Sequence, residues 1–159
     1  HYPLRRQRQM CIRDSCRPLD DQSKRRIRLE SRAFLEIADV ALGGDIVIVS
    51  SDYVRFEIER ILEPLKRKDV KGFERTLSLA NVASSEQVVA LARMFSAECG
   101  LNSLYALHVS AACIGVVDFL LTCDDEVLGR GVCIEEFAAE KGYRLKVRNP
   151  VDYMKERQR

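Results

Sequence analysis

Apolar residues along the chain alternate between helical stripes and short continuous runs. Between residues 23 and 42 they recur every three or four positions, which predicts an amphipathic helix that a Gly-Gly pair terminates. Residues 45–50 (DIVIVS) follow as an uninterrupted β-branched run, which predicts a strand buried on both faces. Ser51 is a suitable N-cap for the next helix, and the apolar stripe extends that helix to about Leu65.

The rest of the chain continues this alternation. It predicts helices over residues 68–79, 84–98, 103–113 and 134–141, and strands over residues 118–122 and 143–148. Ser84 and Gln87 have the spacing of a capping box at the start of one of these helices. Asn149 and Pro150 end the last strand.

Strands that alternate with helices are typical of a parallel sheet with helices on both faces. The pattern therefore predicts the α/β fold class. In such folds, ligands bind beyond the carboxyl ends of the strands. Residues that follow the predicted strands are the first candidates for chemistry.

Composition limits the function classes. The chain has 159 residues, 47% of them hydrophobic and 31% charged, which fits one soluble domain with a sizeable core. No apolar run approaches the 18 or so residues that a membrane span needs, and the N-terminus has no secretory signal pattern. We therefore expect a cytoplasmic protein.

The formal charge of +2 belongs to one short segment. Of 26 Lys+Arg and 24 Asp+Glu, residues 1–15 hold four Arg and one Asp, so the other 144 residues have 22 basic and 23 acidic groups. The net charge therefore gives no argument for nucleic-acid binding. The basic clusters at residues 24–26 and 66–68 fit solvated helix faces better than a nucleic-acid surface.

Residues 1–15 differ from the rest of the chain because they have no apolar period. A disordered basic arm and an organelle-targeting peptide are two interpretations. A third fits better, since residues 5–15 (RRQRQMCIRDS) resemble the translation of a transposon-type sequencing adaptor, as found at the ends of genes predicted from environmental reads. We therefore divide the chain into a foreign segment, 1–15, and a single native domain, 16–159, that has lost its N-terminal element.

The cysteines give no signal for a disulfide framework or a zinc site. Outside the adaptor-like segment there are five, an odd number, with neither CxxC pairs nor zinc-ligand spacing. Cys99, Cys113 and Cys123 are therefore predicted to be small buried hydrophobic residues with reduced thiols.

Glu57 is the first candidate acid. It lies early in the helix after the DIVIVS strand, at the border of that helix's apolar face. A carboxylate on the buried side is unusual unless it is paired or bound to a metal. Pairing with Arg60 is the simpler alternative.

Asp124 and Asp125 are the second candidate site, directly after the strand at 118–122. Carboxylates at a strand end can bind Mg²⁺ or Mn²⁺, hard cations that prefer oxygen ligands. The simpler alternative is that one of them caps the next helical turn.

Several segments together resemble the PIN-domain family. Residues 50–58 (SSDYVRFEI) look like its second acidic motif, and residues 104–112 (LYALHVSAA) with 118–125 (DFLLTCDD) resemble its second half. Residues 16–23 (CRPLDDQS) are similar to the loop after the first strand in one bacterial branch, and 147–150 (VRNP) also fit. The resemblance covers about residues 16 to 153.

The resemblance implies a three-layer α/β/α domain with a central parallel sheet. It implies a metal-dependent endoribonuclease, often the VapC-like toxin of a toxin–antitoxin pair, with RNA as substrate, an antitoxin protein as partner and a possible homodimer. Glu57 and Asp124 match family metal ligands, and Asp125 is a helper to them in catalysis. Mg²⁺ or Mn²⁺ would activate water for attack on the phosphodiester.

Two departures from the family predict weak or absent activity. The family's first aspartate ends a central first strand, which we expect to be missing here, and Asp14 mimics it by chance. The third aspartate is replaced by Tyr105, whose phenol stays neutral near pH 7.

A catalytically degenerate PIN-like module that binds RNA or protein is therefore an alternative. A receiver-like phospho-acceptor domain is a more distant one. It would need a lysine at a late strand end, and Lys146 lies inside a predicted strand.

Overall fold

The chain forms a five-stranded parallel β-sheet in the order β3-β2-β1-β4-β5. The structure is a computed structural model that describes residues 8–12, as backbone alone, and residues 17–158. The strands are β1 (Arg8–Ile12), β2 (Ile46–Ser51), β3 (Ser78–Val82), β4 (Phe119–Leu121) and β5 (Lys146–Arg148). The predicted α/β class is confirmed.

Helices connect the strands. A 3₁₀ turn (Arg17–Leu19) is followed by α1 (Arg25–Leu42), α2 (Asp52–Glu59), α3 (Pro64–Leu77), α4 (Glu86–Cys99), α5 (Ser103–Ile114), α6 (Asp125–Gly129), α7 (Gly131–Glu140) and α8 (Pro150–Arg157). No helix in the described part of the chain is long and apolar enough to cross a membrane.

A strand, β1, occupies the centre of the sheet, so the expectation that the first strand is missing is wrong. Arg8–Ile12 lies in the middle of the sheet, where Met10 is in register with Ile48 of β2 and with Phe119 of β4. The segment comes from the adaptor-like region, whose foreign origin stays a prediction. Its sequence, RQMCI, is more polar than is usual for the centre of a parallel sheet.

Apolar side chains pack on both faces of the sheet because successive strand residues point to opposite sides. On one face, Ile46, Ile48, Phe119 and Leu121 meet helices α1, α3 and α8, through residues that include Phe34, Ile37, Leu77 and Tyr153. On the other, Val49, Leu120 and Val147 meet α2, α4, α5 and α7, through residues that include Ile58, Phe95, Val109 and Ile134.

The predicted helix from Ser51 to about Leu65 is two helices. Helix α2 ends at Glu59, and α3 begins at Pro64. Proline lacks a backbone N–H and disfavours helical geometry in the residue before it, so it suits the first turn of a helix and breaks an interior. The apolar stripe crosses the break, which is why periodicity alone joined the two helices.

Strand β3 and helix α8, like β1, are elements that the sequence pattern did not predict. Strand β3 lies beside β2 at the edge of the sheet formed by the described residues, and its three middle residues are exposed, so it lacks the apolar run of a buried strand. Helix α8 begins where Asn149 and Pro150 end β5, with the Asn149 side chain accepting from the Val151 N–H at 2.8 Å. The cap of α4 is Ser85 rather than the predicted Ser84.

The cysteine prediction is partly wrong. Cys113 and Cys123 are buried, as predicted, but Cys99 at the end of α4 forms a disulfide with Cys133 of α7. Disulfides are rare in reducing compartments, so this pair does not follow from the expected cytoplasmic location.

A proline in β1 tests whether this strand belongs to the folded sheet. We expect Cys11→Pro to lower the free energy of unfolding by about 3 kcal/mol, because it removes a backbone donor from the central strand. Cys11→Val, which keeps the donor, is the matched control. Urea denaturation measures both variants, and a proline variant as stable as the control would show that β1 is dispensable.

The disulfide can be tested by removing one partner. The bond spans 34 residues, so we expect Cys133→Ser to lose about 3–4 kcal/mol of stability without reductant. A reductant should remove most of this difference by destabilising the wild type. Cys113→Ala is the control, because Cys113 is a buried free thiol and the cost of its removal should not depend on reductant. A wild-type chain whose urea midpoint is indifferent to reductant would contradict the bond.

Candidate active site

The two predicted metal ligands lie beyond strands whose carboxyl ends share one edge of the sheet. Ser51 ends β2 and caps α2, with its hydroxyl accepting from the Val54 N–H at 3.1 Å. Glu57 lies further along this helix. Asp124 follows β4 by three residues and precedes α6. Because the strands are parallel, both segments leave the sheet at the same edge.

Asp124 accepts hydrogen bonds at both carboxylate oxygens. Its Oδ1 accepts from the N–H groups of Glu126 at 2.9 Å and Val127 at 3.4 Å, which caps α6. Its Oδ2 accepts from the hydroxyl of Tyr105 at 2.6 Å. Asp124 is therefore a helix cap, as the simpler alternative predicts. It also accepts a hydrogen bond from Tyr105, which the cap does not require.

Glu57 lies against a buried histidine. Its Oε1 is 3.1 Å from Nε2 of His108, and the glutamate side chain is 25% exposed while that of the histidine is 1% exposed. Neither ring nitrogen has an aligned hydrogen bond to the residues that the structure describes, so this is a close contact with poor hydrogen-bond geometry. Arg60, named as a partner for Glu57 in the simpler alternative, lies over the Phe56 ring.

Helix α5 links the two carboxylates. Tyr105 and His108 are three residues apart on this helix, so their side chains leave the same face as neighbours. One contacts Asp124 and the other contacts Glu57. The sequence identified Tyr105 only as a missing acid, and His108 gave no signal beyond its place in an apolar helix.

Asp125 is engaged by Arg26. The guanidinium donates to both carboxylate oxygens at 2.8 Å, and Nη2 also donates to the carbonyl of Cys123 at 2.8 Å. The Asp125 carboxylate raises the pKa of Arg26. The basic cluster at residues 24–26, predicted to be a solvated helix face, therefore includes one arginine bound at the sheet edge. The helper role of Asp125 stays a prediction.

A buried carboxylate holds the other side of this arginine. The side chain of Glu30 is 2% exposed, and its Oε2 accepts from Arg26 Nε at 3.3 Å and from Asn149 Nδ2 at 2.6 Å. Buried charges need such partners, since an unpaired carboxylate in the interior is costly. The sequence pattern did not single out Glu30.

Asp52 anchors a neighbouring loop at the same edge. Its carboxylate accepts from the Ser84 backbone N–H at 2.8 Å and from the Asn81 side chain at 2.9 Å. These bonds, the Ser84 one first, lower the pKa of Asp52. Asp52 thus ties the start of α2 to the connection between β3 and α4.

Carboxylate oxygens are suitable donors for Mg²⁺ or Mn²⁺, and Mg²⁺ is often held by only one or two carboxylates plus water. Glu57 and Asp124 fit this donor chemistry. Within residues 17–158, no group of three or more His, Cys, Asp or Glu side chains could hold a metal ion. Asp14 lies outside the described residues.

The position of Lys146 does not support the receiver-like alternative. This lysine begins β5, so it lies at the amino end of the strand rather than at the carboxyl edge.

Comparison with known proteins adds no assignment. No protein-family model matches the chain, and no curated protein matches it significantly.

Proposed function

We propose that this chain is a PIN-type domain with a three-layer α/β/α architecture, derived from a metal-dependent endoribonuclease that acts as the toxin of a type II toxin–antitoxin pair. The observation that supports this most is that Glu57 and Asp124 follow β2 and β4 at one edge of the sheet and meet one face of α5. The central position of β1 and the helices on both faces also suit the proposed architecture.

In this proposal, Glu57 and Asp124 supply anionic oxygen ligands. A bound Mg²⁺ or Mn²⁺ would stabilise the negative charge that develops on an RNA phosphodiester under attack by water. His108 supports Glu57 from the buried side, and the capping bonds from Glu126 and Val127 fix the orientation of Asp124.

Tyr105 opposes cation binding at Asp124. Since both carboxylate oxygens already accept hydrogen bonds, a cation must displace or share at least one of them. A hydrogen bond to a charged group is worth about 1.5–3 kcal/mol, which corresponds to roughly 10- to 100-fold in affinity. We therefore propose that the present chain binds metal weakly and cleaves RNA slowly.

The same contact favours a second candidate, a catalytically degenerate module that binds RNA or protein. In that case the Tyr105–Asp124 hydrogen bond, at 2.6 Å, is a permanent structural feature. The RNA substrate, the antitoxin and a homodimer belong to the proposal through the family resemblance, and the cytoplasmic location through the sequence pattern.

Substitution at Tyr105 separates the two candidates. We expect Tyr105→Asp to raise Mn²⁺- or Mg²⁺-dependent cleavage of single-stranded RNA at least about tenfold, because it removes the hydroxyl and adds a charged ligand. Tyr105→Asn also removes the phenol but adds no charged ligand, so its gain should be smaller than that of Tyr105→Asp. Glu57→Gln in the Tyr105→Asp background should abolish the gain.

Two results would decide against one candidate each. A folded Tyr105→Asp chain without metal-dependent cleavage would contradict the ribonuclease proposal. A wild-type chain that already cleaves as fast as Tyr105→Asp, and loses this activity in Glu57→Gln, would contradict the degenerate module.

A further inference from the structure

One guanidinium holds the two residues that flank Asp124 in the chain. Arg26 donates to the carbonyl of Cys123 on one side and makes two parallel hydrogen bonds to the carboxylate of Asp125 on the other, each at 2.8 Å. Such a bidentate pair fixes direction as well as distance. Both neighbours of Asp124 are therefore tied to α1, Cys123 through its backbone carbonyl and Asp125 through its side chain.

Arg26 is itself held in place. Its Nε donates to Glu30, which is one turn further along α1 and accepts from Asn149 at the start of α8. Because Glu30 is buried, its position is constrained by packing as well as by these bonds. The network joins three places: α1, the β4–α6 connection and the β5–α8 connection.

The charges of this network also suit a neighbouring cation site. A lone arginine beside Asp124 would repel a divalent cation, but Arg26 contacts two carboxylates, those of Asp125 and Glu30. The guanidinium can therefore orient the loop without leaving unbalanced positive charge near Asp124.

We propose that Arg26 is a positioning residue for Asp124, and that Asp125 acts through Arg26 rather than as a ligand to the metal. The inference rests on the proposed function for its metal-binding part. Asp125 is then not an acid that assists catalysis. Arg26 and Asp125 together form a bidentate ion pair, the Arg26–Asp125 clamp, beside Asp124.

Arg148 offers a matched control. It lies at the carboxyl end of β5 and also bonds two carboxylates, those of Glu156 at 2.7 Å and Glu135 at 3.2 Å. These contacts do not flank Asp124. Arg148→Gln therefore removes a comparable surface network from the same edge of the sheet.

Two readouts test the clamp in Arg26→Gln. Hydrogen exchange of the Glu126 and Val127 amides, which bond to Asp124, should become about tenfold faster. Affinity for Mn²⁺, measured by calorimetry, should fall by about tenfold. Arg148→Gln should change neither, and Arg26→Lys, which keeps the charge but loses the bidentate geometry, should fall between wild type and Arg26→Gln.

A double-mutant comparison tests the role of Asp125. If it acts through Arg26, Asp125→Asn should resemble Arg26→Gln, and the double variant should be no worse than either. If Arg26→Gln keeps its Mn²⁺ affinity but the double variant loses it, the loss cannot come from the charge of Arg26, so Asp125 would be a ligand and the inference would be overturned.

The two proposals fail in different ways. If the wild type binds neither Mn²⁺ nor Mg²⁺, the metal-binding part of the proposed function fails, and amide exchange still measures the clamp. If metal binds but exchange at Glu126 and Val127 is the same in Arg26→Gln and Arg148→Gln, the clamp is wrong and the proposed function stands.

Discussion

The pairing of β1 with both β2 and β4 is the constraint on which the rest of the structure depends. This strand lies between β2 and β4, so it connects the β2–β3 half of the sheet to the β4–β5 half. It also brings the segments after β2 and β4 to opposite sides of one strand end. Glu57 and Asp124, which are 67 positions apart in the sequence, can share an edge only because this pairing forms.

The carboxylates at this edge of the sheet accept hydrogen bonds from the protein, and these bonds compete with the binding of a cation. Asp124 is occupied by Tyr105 and two backbone amides, Asp125 by Arg26, and Asp52 by Ser84 and Asn81. Each bond lowers the cost of holding a carboxylate at the end of a sheet, and each reduces what the carboxylate can offer to a cation. Removal of the Tyr105 hydroxyl would take away the bond to Asp124 Oδ2 and leave the helix cap at Oδ1 intact.

Local signals in the sequence predicted the elements that bury an apolar face. The DIVIVS run and the stripe in residues 23–42 correspond to β2 and α1, with ends shifted by one or two residues. Pro64 indicates a break between α2 and α3, but the apolar periodicity continues across the break and predicts a single helix there. Strand β3 has no comparable signal in its sequence. An exposed edge strand is stabilised by pairing with the neighbouring strand and does not require an apolar pattern of its own.

The candidate site was predictable only in part. Glu57 and Asp124 were found from their places after strands, whereas their partners depend on tertiary contacts. Arg26 and Asp125 are 99 residues apart, and nothing local distinguishes Arg26 from the adjacent Arg25. The Cys99–Cys133 pair is likewise set by the packing of α4 against α7, which spacing along the chain does not reveal.

The central claim is that Glu57 and Asp124 form one cation-binding edge. Mn²⁺ titration monitored by paramagnetic broadening of backbone amide NMR signals tests it most directly. The account predicts that broadening begins together at residues around Glu57 and Asp124, includes Tyr105 and His108 on α5, and is absent in the Glu57→Gln/Asp124→Asn double variant. Broadening confined to exposed acids elsewhere, such as Glu140 and Glu156, would contradict it.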